Sequence, residues 1–311
     1  NISMHLTPTA TCLEQTEDIT SPEEALRILE SLLTATPPGE LRIADSKSLE
    51  AVNRRAFIEG ELPPALEAGK LKVYFQPIYS LKEGRFTRME ALIRFPHETM
   101  GFIPPDEFIP IAEKNGLILA IDEYVMRRVC KFIAEYDPIK TLGIDIIEIN
   151  LSAVEFVQSE LTQRIAGILR EYGTDPSRVI FEITETAATA DYERLSANMD
   201  SLLRHDFKFA LDDYGTGYAN ISQISRLSFS AVKIDRSVLY SESETPQQAI
   251  LFRHTVKMLQ DMGFEIVVEG VETKGHSELL MQMGVDYAQG YYYARPMPIE
   301  DLADFLKDNK K

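Results

Sequence analysis

Two kinds of apolar pattern alternate along most of the chain. Short runs rich in β-branched and aromatic residues are separated by longer stretches with helical spacing of apolar positions. Eight runs are predicted to be strands: KVYFQPIYS, FTRMEALIRF, IIEINLS, VIFEITET, FKFALDDYG, AVKIDRS, EIVVEGVET and DYAQGYYYARP. The helical stretches between them are long enough to cross back over a sheet. The alternation predicts an α/β fold, a (β/α)8 barrel of the TIM type, with an open doubly wound sheet as the alternative.

The first part of the chain has a different organisation. Residues 20–34 carry apolar residues on one helical face, and the short stretch LRIA follows as a predicted strand. From about residue 46 the pattern is mostly helical, with an interruption expected at Pro63 and Pro64. We therefore expect a small N-terminal attachment ahead of the barrel.

Composition narrows the classes of protein that fit. The chain has 311 residues, with 49 acidic and 32 basic side chains and a net charge of −17. No Lys/Arg-rich run offsets this charge, which argues against binding of DNA or RNA polymers or of anionic lipid. Cys12 and Cys130 match no metal or redox spacing, as is common in a reducing compartment.

The chain shows no run of about 18 or more apolar residues and no signal-peptide pattern at its start. We expect this segment to be cytoplasmic and to make no membrane contact. A longer parent protein could carry sensory or membrane segments, and could be anchored through them.

Polar residues stand near the ends of strands that should be apolar throughout. Buried parallel strands are normally almost continuous in Val, Ile and Leu. Seven of the strands carry an exception close to the carboxyl end: Glu90, Asn150, Glu182, Asp212 with Asp213, Lys233 with Asp235, Glu269 with Glu272, and Gln289. In a barrel those ends converge on the face that holds the active site.

Such a concentration of carboxylates would be strongly self-repelling unless cations neutralised it. A donor set of oxygens without His or Cys is typical of Mg²⁺ or Mn²⁺ sites rather than zinc sites. The adjacent pair Asp212 and Asp213 suits two ions roughly 3.5–4 Å apart, an arrangement that cleaves phosphate esters. These residues alone do not identify the substrate, because a two-metal barrel site of this kind can act on different phosphorylated or enolisable compounds.

Ordered motifs between about residues 70 and 305 carry a family resemblance. They are EALIR at 90–94, FIPPDEFIPIAEKNGLILAID, INLSA, FEITET, ALDDYGTGY, VKIDRS, VVEGVET and QGYYYARPMP. This set resembles the EAL-domain cyclic di-GMP phosphodiesterases. The resemblance implies a barrel whose first strand is antiparallel to its neighbours, and hydrolysis of cyclic di-GMP to linear pGpG. It places the barrel at residues 56–311 and the attachment at residues 1–55.

The resemblance also implies roles for individual residues. The matched metal positions are Glu90, Asn150, Glu182, Asp212, Asp213, Glu269 and Gln289. Asp212 and Asp213 match the second ion, while Glu269 and Gln289 act directly or through water. Lys233 matches the lysine that contacts the attacking water, and Glu269 is a general-base candidate, although two metals can make a separate base unnecessary.

Substrate contacts and loop support follow from the same resemblance. Gln76, Leu92 and Arg94 match substrate-binding positions. Glu185 and Glu272 match loop-stabilising positions, with a simple helix-start carboxylate as the alternative for both.

Cofactor and partners are also implied. The expected cofactor is Mg²⁺ or Mn²⁺, with two ions per site, and Ca²⁺ is expected to inhibit. The expected partner is cyclic di-GMP as substrate, and a homodimer is suggested because family members often pair through the barrel.

Residues 1–55 resemble the C-terminal tail of a degenerate GGDEF domain, or else form an unrelated helical cap, and a sensory or GGDEF-type domain could lie further upstream. The alternative function is a cyclic di-GMP receptor that binds without efficient hydrolysis; the presence of every matched ligand favours the enzyme.

Overall fold

The computed structural model describes residues 9–13, 22–34, 36–44, 46–190, 192–217, 224, 226–242 and 245–309. The chain divides into two compact units. The first comprises the chain up to Ala68 together with Asp106–Ile111, and the second comprises Gly69–Pro105 and Ala112–Lys311. The division into residues 1–55 and 56–311 that the family resemblance implies stays a prediction.

Besides Asp106–Ile111, the described residues of the first unit form two strands and two helices. They are β1 (Ala10–Leu13), α1 (Pro22–Thr34), β2 (Leu41–Ala44) and α2 (Ser46–Glu67). The strands pair in parallel, with Ala10 opposite Leu41. Ile28 and Leu32 of α1 form a small core with Leu49 and Val52 of α2. The predicted helix and LRIA strand are confirmed.

The expected interruption at Pro63 and Pro64 is wrong, because α2 continues through both residues. A proline lacks an N–H group, but its carbonyl still accepts hydrogen bonds. The amide of Ala68 accordingly donates to the carbonyl of Pro64 at 3.0 Å.

The second unit contains a sheet to which nine described strands contribute. They are β3 (Lys72–Ser80), β4 (Arg85–His97), β5 (Gly101–Ile103), β6 (Ile146–Asn150), β7 (Val179–Thr184), β8 (Lys208–Tyr214), β9 (Ala231–Ile234), β10 (Glu265–Val268) and β11 (Tyr287–Ala288). The helices of the described chain after β4 are α3 (Pro105–Asn115), α4 (Ile118–Tyr136), α5 (Pro138–Leu142), α6 (Ala153–Phe156), α7 (Leu161–Tyr172), α8 (Glu185–Ala190), α9 (Tyr192–Leu203), α10 (Arg236–Ser241), α11 (Pro246–Asp261), α12 (Lys274–Gln282) and α13 (Ile299–Asp308). None of the described helices is both long and apolar enough to cross a bilayer.

Eight of these strands close into a barrel. Their order is β3, β11, β10, β9, β8, β7, β6 and β4, and β4 pairs in turn with β3. Strand β3 is antiparallel to both of its neighbours, whereas the other neighbouring strands of the barrel run parallel. The predicted TIM-type barrel with an antiparallel first strand is therefore confirmed. The sequence pattern missed β5, whose three residues are too few to show an alternation.

A polar cluster around buried Arg88 and Glu148 lies in the barrel towards the amino ends of its strands. The Arg88 guanidinium contacts Glu148 Oε1 at 3.4 Å, Glu265 Oε2 at 2.6 Å and the Tyr287 hydroxyl at 2.8 Å. It also lies over the Tyr287 ring, 3.9 Å from its centroid. Arg88 and Glu148 each lie two residues before a predicted site residue on β4 or β6, and Tyr287 lies two residues before Gln289, which follows β11, so the two sets face the same interior in successive layers.

Arg88→Met should lower the free energy of unfolding by about 3–5 kcal/mol, because it leaves Glu148 as an uncompensated charge in the barrel interior. Urea unfolding followed by circular dichroism would measure the change. Arg85→Met is the matched control, since Arg85 lies on the same strand but 44% of its side chain is exposed beside Glu83 and Asp145. The control should cost less than about 1 kcal/mol. Equal losses of unfolding free energy in the two variants would contradict the stabilising role given to the contacts of Arg88.

Candidate active site

The carboxyl ends of the parallel strands bring most of the predicted site residues together inside the barrel. Side chains two residues apart on a strand share a face, so one inward residue near each strand end suffices to build a common site. Glu90 comes from β4, Glu182 from β7, Asp212 from β8 and Lys233 from β9. All four of these side chains are buried.

Lys233 lies at the centre of this group. Its ammonium nitrogen contacts four carboxylates, at 3.2 Å from Glu90, 2.7 Å from Glu182, 3.4 Å from Asp212 and 2.9 Å from Glu269. A lysine surrounded in this way is the local counter-charge of the site. It offsets one of four negative charges, so three would remain unbalanced if every carboxyl were ionised.

Glu90 is the most fully hydrogen-bonded of these carboxylates. Its Oε1 accepts a bond from Asn150 Nδ2 at 2.7 Å, and its Oε2 accepts bonds from Gln289 Nε2 at 2.6 Å and Lys233 Nζ at 3.2 Å. Burial raises the pKa of this carboxyl, but the charge of Lys233 and these hydrogen bonds hold it below its ordinary value. Glu90 is therefore ionised at neutral pH.

The other carboxyls in contact with Lys233 have pKa values above their ordinary values. Burial is the main cause in each case: it raises the pKa of Asp212 to about 6 and that of Glu269 to about 8. Burial and the neighbouring Glu90 raise the pKa of Glu182 well above its ordinary value. Burial alone would lower the pKa of Lys233, but the surrounding carboxylates, Asp212 and Glu182 foremost, raise it well above its usual range. The protein by itself thus holds this site with protons on some of its carboxyls.

The backbone turns at Asp213, which brings two consecutive aspartates to one side. Successive side chains of a regular strand point to opposite faces. Asp213 instead has a left-handed φ of 56°, and the pairing of β8 with β9 shifts register between Leu211 and Tyr214. As a result, carboxylate oxygens of Asp212, Asp213 and Glu269 lie within 4.8 Å of one another. These three residues form a group that could hold a metal ion.

Glu185 supports the turn that follows. This buried carboxylate accepts a hydrogen bond from the Gly215 amide at 2.7 Å. A side chain at Gly217 would begin 2.9 Å from Glu185 Oε1, so only glycine fits there without a shift of that carboxylate. Glu185 also begins α8, so the contact and the helix-start position coexist.

Glu272 makes no such contact among the described residues. It is exposed, and it lies beside the Tyr240 hydroxyl, whose pKa is raised by burial and by this carboxylate. Its assignment to loop stabilisation stays a prediction.

The predicted substrate-binding residues lie on β3 and β4, the strands that carry or adjoin Glu90. Gln76 Nε2 donates to the Ala294 carbonyl at 3.0 Å, and its Oε1 accepts a bond from Gln289 Nε2 at 3.3 Å. Leu92 lies two residues beyond Glu90 and pairs with Tyr74. Arg94 folds back on its own strand, where it donates to the Ile93 carbonyl at 2.9 Å and lies 6.0 Å from the Tyr74 ring centroid. Their substrate contacts stay predictions.

The donor chemistry of the site fits divalent cations. The predicted ligands offer only carboxylate and amide oxygens, which are the preferred ligands of Mg²⁺ and Mn²⁺. Buried Glu182 Oε2 and Gln289 Oε1 have no hydrogen-bond partner among the described residues. Buried oxygens of this kind normally have a partner, so the cluster has unused capacity to bind a cation.

The sequence analysis missed one buried carboxylate beside the site. Asp122 lies on the buried face of α4, and its Oδ2 accepts hydrogen bonds from both the amide and the hydroxyl of Ser152. Ser152 follows Asn150 by two residues. The available signal was a single acidic residue on the apolar face of a predicted helix, between Ile121 and Val125.

Comparison with known proteins identifies the family. The model of the EAL domain matches residues 59–296. Cyclic di-GMP phosphodiesterase PdeL of Escherichia coli K12 is 34% identical over 236 residues, which cover 75% of this chain and 64% of PdeL. The bifunctional diguanylate cyclase/cyclic di-GMP phosphodiesterase MucR of Pseudomonas aeruginosa is 32% identical over 248 residues, covering 78% of this chain and 35% of MucR.

Solved structures agree with this result. The structure described as PaMucR phosphodiesterase in complex with c-di-GMP superposes with a TM-score of 0.74 at 32% identity, covering 79% of this chain and 99% of that one. This chain spans less than two thirds of the length of the full relatives named above. The match of the family model over most of the chain means that it belongs to the EAL domain family.

Proposed function

We propose that this chain is a divalent-metal-dependent phosphodiesterase that hydrolyses cyclic di-GMP to linear pGpG. One observation carries the proposal: buried carboxylates from several strands converge on one lysine in a member of a family whose named relatives are cyclic di-GMP phosphodiesterases. Hydrolysis of this messenger would end or tune its signal.

The residues that would hold the cations are those already described. They are Glu90, Asn150, Glu182, Asp212, Asp213, Glu269 and Gln289, with Asp212 and Asp213 serving the second ion. When bound, Mg²⁺ or Mn²⁺ would neutralise phosphate charge and make water acidic enough to supply a nucleophile near neutral pH.

The chain's own residues supply positioning and proton handling. Lys233 provides N–H donors beside Glu269, so the two together can orient a water molecule and accept or return its proton. Asn150 and Gln289 keep the Glu90 carboxylate ionised and oriented through hydrogen bonds to its two oxygens. Gln76, Leu92 and Arg94 lie on strands that border this group, where they would contact the substrate.

The metal requirement gives the first test. Purified protein should convert cyclic di-GMP to pGpG with Mg²⁺ or Mn²⁺ and show no turnover after chelation with EDTA. Ca²⁺ should compete and inhibit, because it accepts six to eight oxygens in looser geometry and orients water less well than Mg²⁺ does. Chromatography of the products measures each case.

Glu90→Ala is the matched inactive variant for this experiment, since it removes the carboxylate that Asn150, Gln289 and Lys233 contact. Turnover in EDTA, or with Ca²⁺ as the only divalent ion, would contradict the metal assignment. Tight binding of cyclic di-GMP without any pGpG would identify a receptor instead.

Proton release gives the second test. At about pH 7 the raised pKa of Glu269, about 8, keeps that carboxyl largely protonated, and cations bind the ionised form, so binding of Mg²⁺ should release about one proton. Titration calorimetry in two buffers of different ionisation enthalpy measures the release. It should fall at about pH 9, where Glu269 is already ionised. A heat that does not depend on the buffer at pH 7 would count against the site.

The same pKa shifts determine the stability of the metal-free protein. A carboxyl whose pKa is raised on folding stabilises the folded state while protonated, and this contribution is lost as the pH rises through the folded pKa. The melting temperature in EDTA should therefore fall as the pH rises towards and through about 8, where Glu269 titrates. Mg²⁺ should reverse the fall. A melting temperature that rose over this interval would contradict the assignment.

Lys233 gives the third test. Lys233→Ala should lower kcat on the order of 100-fold at saturating Mg²⁺, because its donors lie where the attacking water would be oriented. KM should change little, since the loss concerns the transition state. Lys257→Ala is the control, because Lys257 is exposed on α11 and pairs with Asp261. A loss confined to KM would show that Lys233 serves substrate binding instead.

A further inference from the structure

The short segment that carries Asn150 is held at two places. Strand β6 ends at Asn150, and the next amide, that of Leu151, donates to the Glu182 carbonyl at 3.0 Å. The amide of Ser152 then donates to Asp122 Oδ2 at 3.2 Å, and the Ser152 hydroxyl donates to the same oxygen at 2.6 Å. One anchor is thus backbone on β7, and the other is a side chain on α4.

Asn150 depends on these anchors because it is exposed, unlike the buried carboxylates around it. Its described side-chain hydrogen bond is the one from Nδ2 to Glu90 Oε1, at 2.7 Å. An exposed side chain at the end of a strand is restrained mainly by its backbone. Movement at Ser152 would therefore reach Asn150, and through it the carboxylate of Glu90.

Asp122 is placed to restrain that backbone. It is 6% exposed, and both of its described hydrogen bonds come from Ser152. The Ser152 hydroxyl also accepts a bond from the Glu155 amide at 3.1 Å and so caps α6. One oxygen of Asp122 thus holds Ser152, which lies between the end of β6 and the first residue of α6.

We propose that Asp122 is a positioning residue of the active site, which fixes the segment 150–152 and thereby the orientation of Asn150 towards Glu90. The inference rests on the proposed function for its effect on catalysis. Its geometric part concerns the metal-free chain alone. Partners that orient ligands in this way typically change metal affinity or activity by about 10–100-fold when they are lost.

The role requires an acceptor at Asp122 rather than a charge. Burial raises the pKa of this carboxyl to about 7, so a neutral group is tolerated at this position. Asp122→Asn retains an oxygen that can accept both bonds from Ser152, whereas Asp122→Ala removes it. The two variants therefore separate loss of the acceptor from loss of the charge.

The chain also offers a matched structural control. Asp175 accepts hydrogen bonds from the amide and the hydroxyl of Ser177, at 2.9 and 2.8 Å, which is the same pair of donors. It lies just ahead of β7 and therefore at the amino end of the barrel, although it is more exposed than Asp122. Asp175→Ala removes the same pair of hydrogen bonds from a local turn, without touching the site.

The experiment compares the full chain with Asp122→Ala, Asp122→Asn and Asp175→Ala. Three measurements are made. The first, on metal-free protein, is amide hydrogen exchange of residues 151–156 together with the NMR resonances of the Asn150 side-chain NH₂ group. The second is Mn²⁺ affinity by electron paramagnetic resonance, and the third is kcat and KM with cyclic di-GMP. Asp122→Ala should speed exchange about 10-fold, weaken Mn²⁺ binding about 10-fold or more and lower kcat with little change in KM. Asp122→Asn should restore most of each value, and Asp175→Ala should leave all three at wild-type values.

Unchanged exchange and unchanged Asn150 resonances in Asp122→Ala would overturn the proposal, as would equal effects of the alanine and asparagine variants. Should the alanine variant not fold, Ser152→Ala removes the hydroxyl bond to Asp122 together with the cap on α6 but keeps the amide bond, and it should shift the Asn150 side-chain resonances; no shift there would overturn the proposal too. Absence of hydrolysis by the wild-type protein would refute the proposed function, while exchange and the Asn150 resonances would still decide the role of Asp122.

Discussion

The ion pairs of Lys233 are the interaction on which the site depends. One ammonium group contacts carboxylates from β4, β7 and β8 and from the end of β10, so the cluster exists only when the barrel is closed. The charges do not balance, and burial strengthens the repulsion among the carboxylates that remain. Protons or cations must supply the missing positive charge. This is the physical reason why the same cluster both resists ionisation and suits divalent ions.

The barrel interior is polar at two levels, and the two levels differ in how many carboxylates surround each cation. Near the amino ends of the strands, the Arg88 guanidinium contacts a tyrosine hydroxyl and two carboxylates, of which Glu265 is half exposed, while Glu148 keeps one oxygen without a partner among the described residues. Near the carboxyl ends, four carboxylates surround one cation, and Glu182 and Gln289 keep oxygens without hydrogen-bond partners in the described part of the chain. The Arg88 cluster is suited to stabilising the fold. The carboxylates around Lys233 repel one another, and binding of a cation would reduce that repulsion.

Precision at the site comes from backbone features around it. The left-handed conformation of Asp213 turns a second carboxylate towards Asp212, and the hydrogen bond from the Gly215 amide to Glu185 secures the next turn. On the other side, Asp122 secures the end of β6 through Ser152. Glu185 and Asp122 are both buried carboxylates that accept a hydrogen bond from a backbone amide two residues beyond a residue of the site.

The sequence by itself determined the strands of the barrel and the polar residues at strand ends, because apolar patterning is a local property of the chain. The direction of the first strand was implied by the family resemblance that the ordered motifs carry. It did not show that Lys233 lies within reach of four carboxylates, that the chain turns at Asp213, or that Asp122 contacts Ser152. Those relations join residues 21 to 143 positions apart, or depend on one backbone dihedral, and neither kind of information is present in a local pattern. Tertiary folding decided the long-range ones, because closure of the barrel brings the strand ends around Lys233 and the packing of α4 brings Asp122 to Ser152.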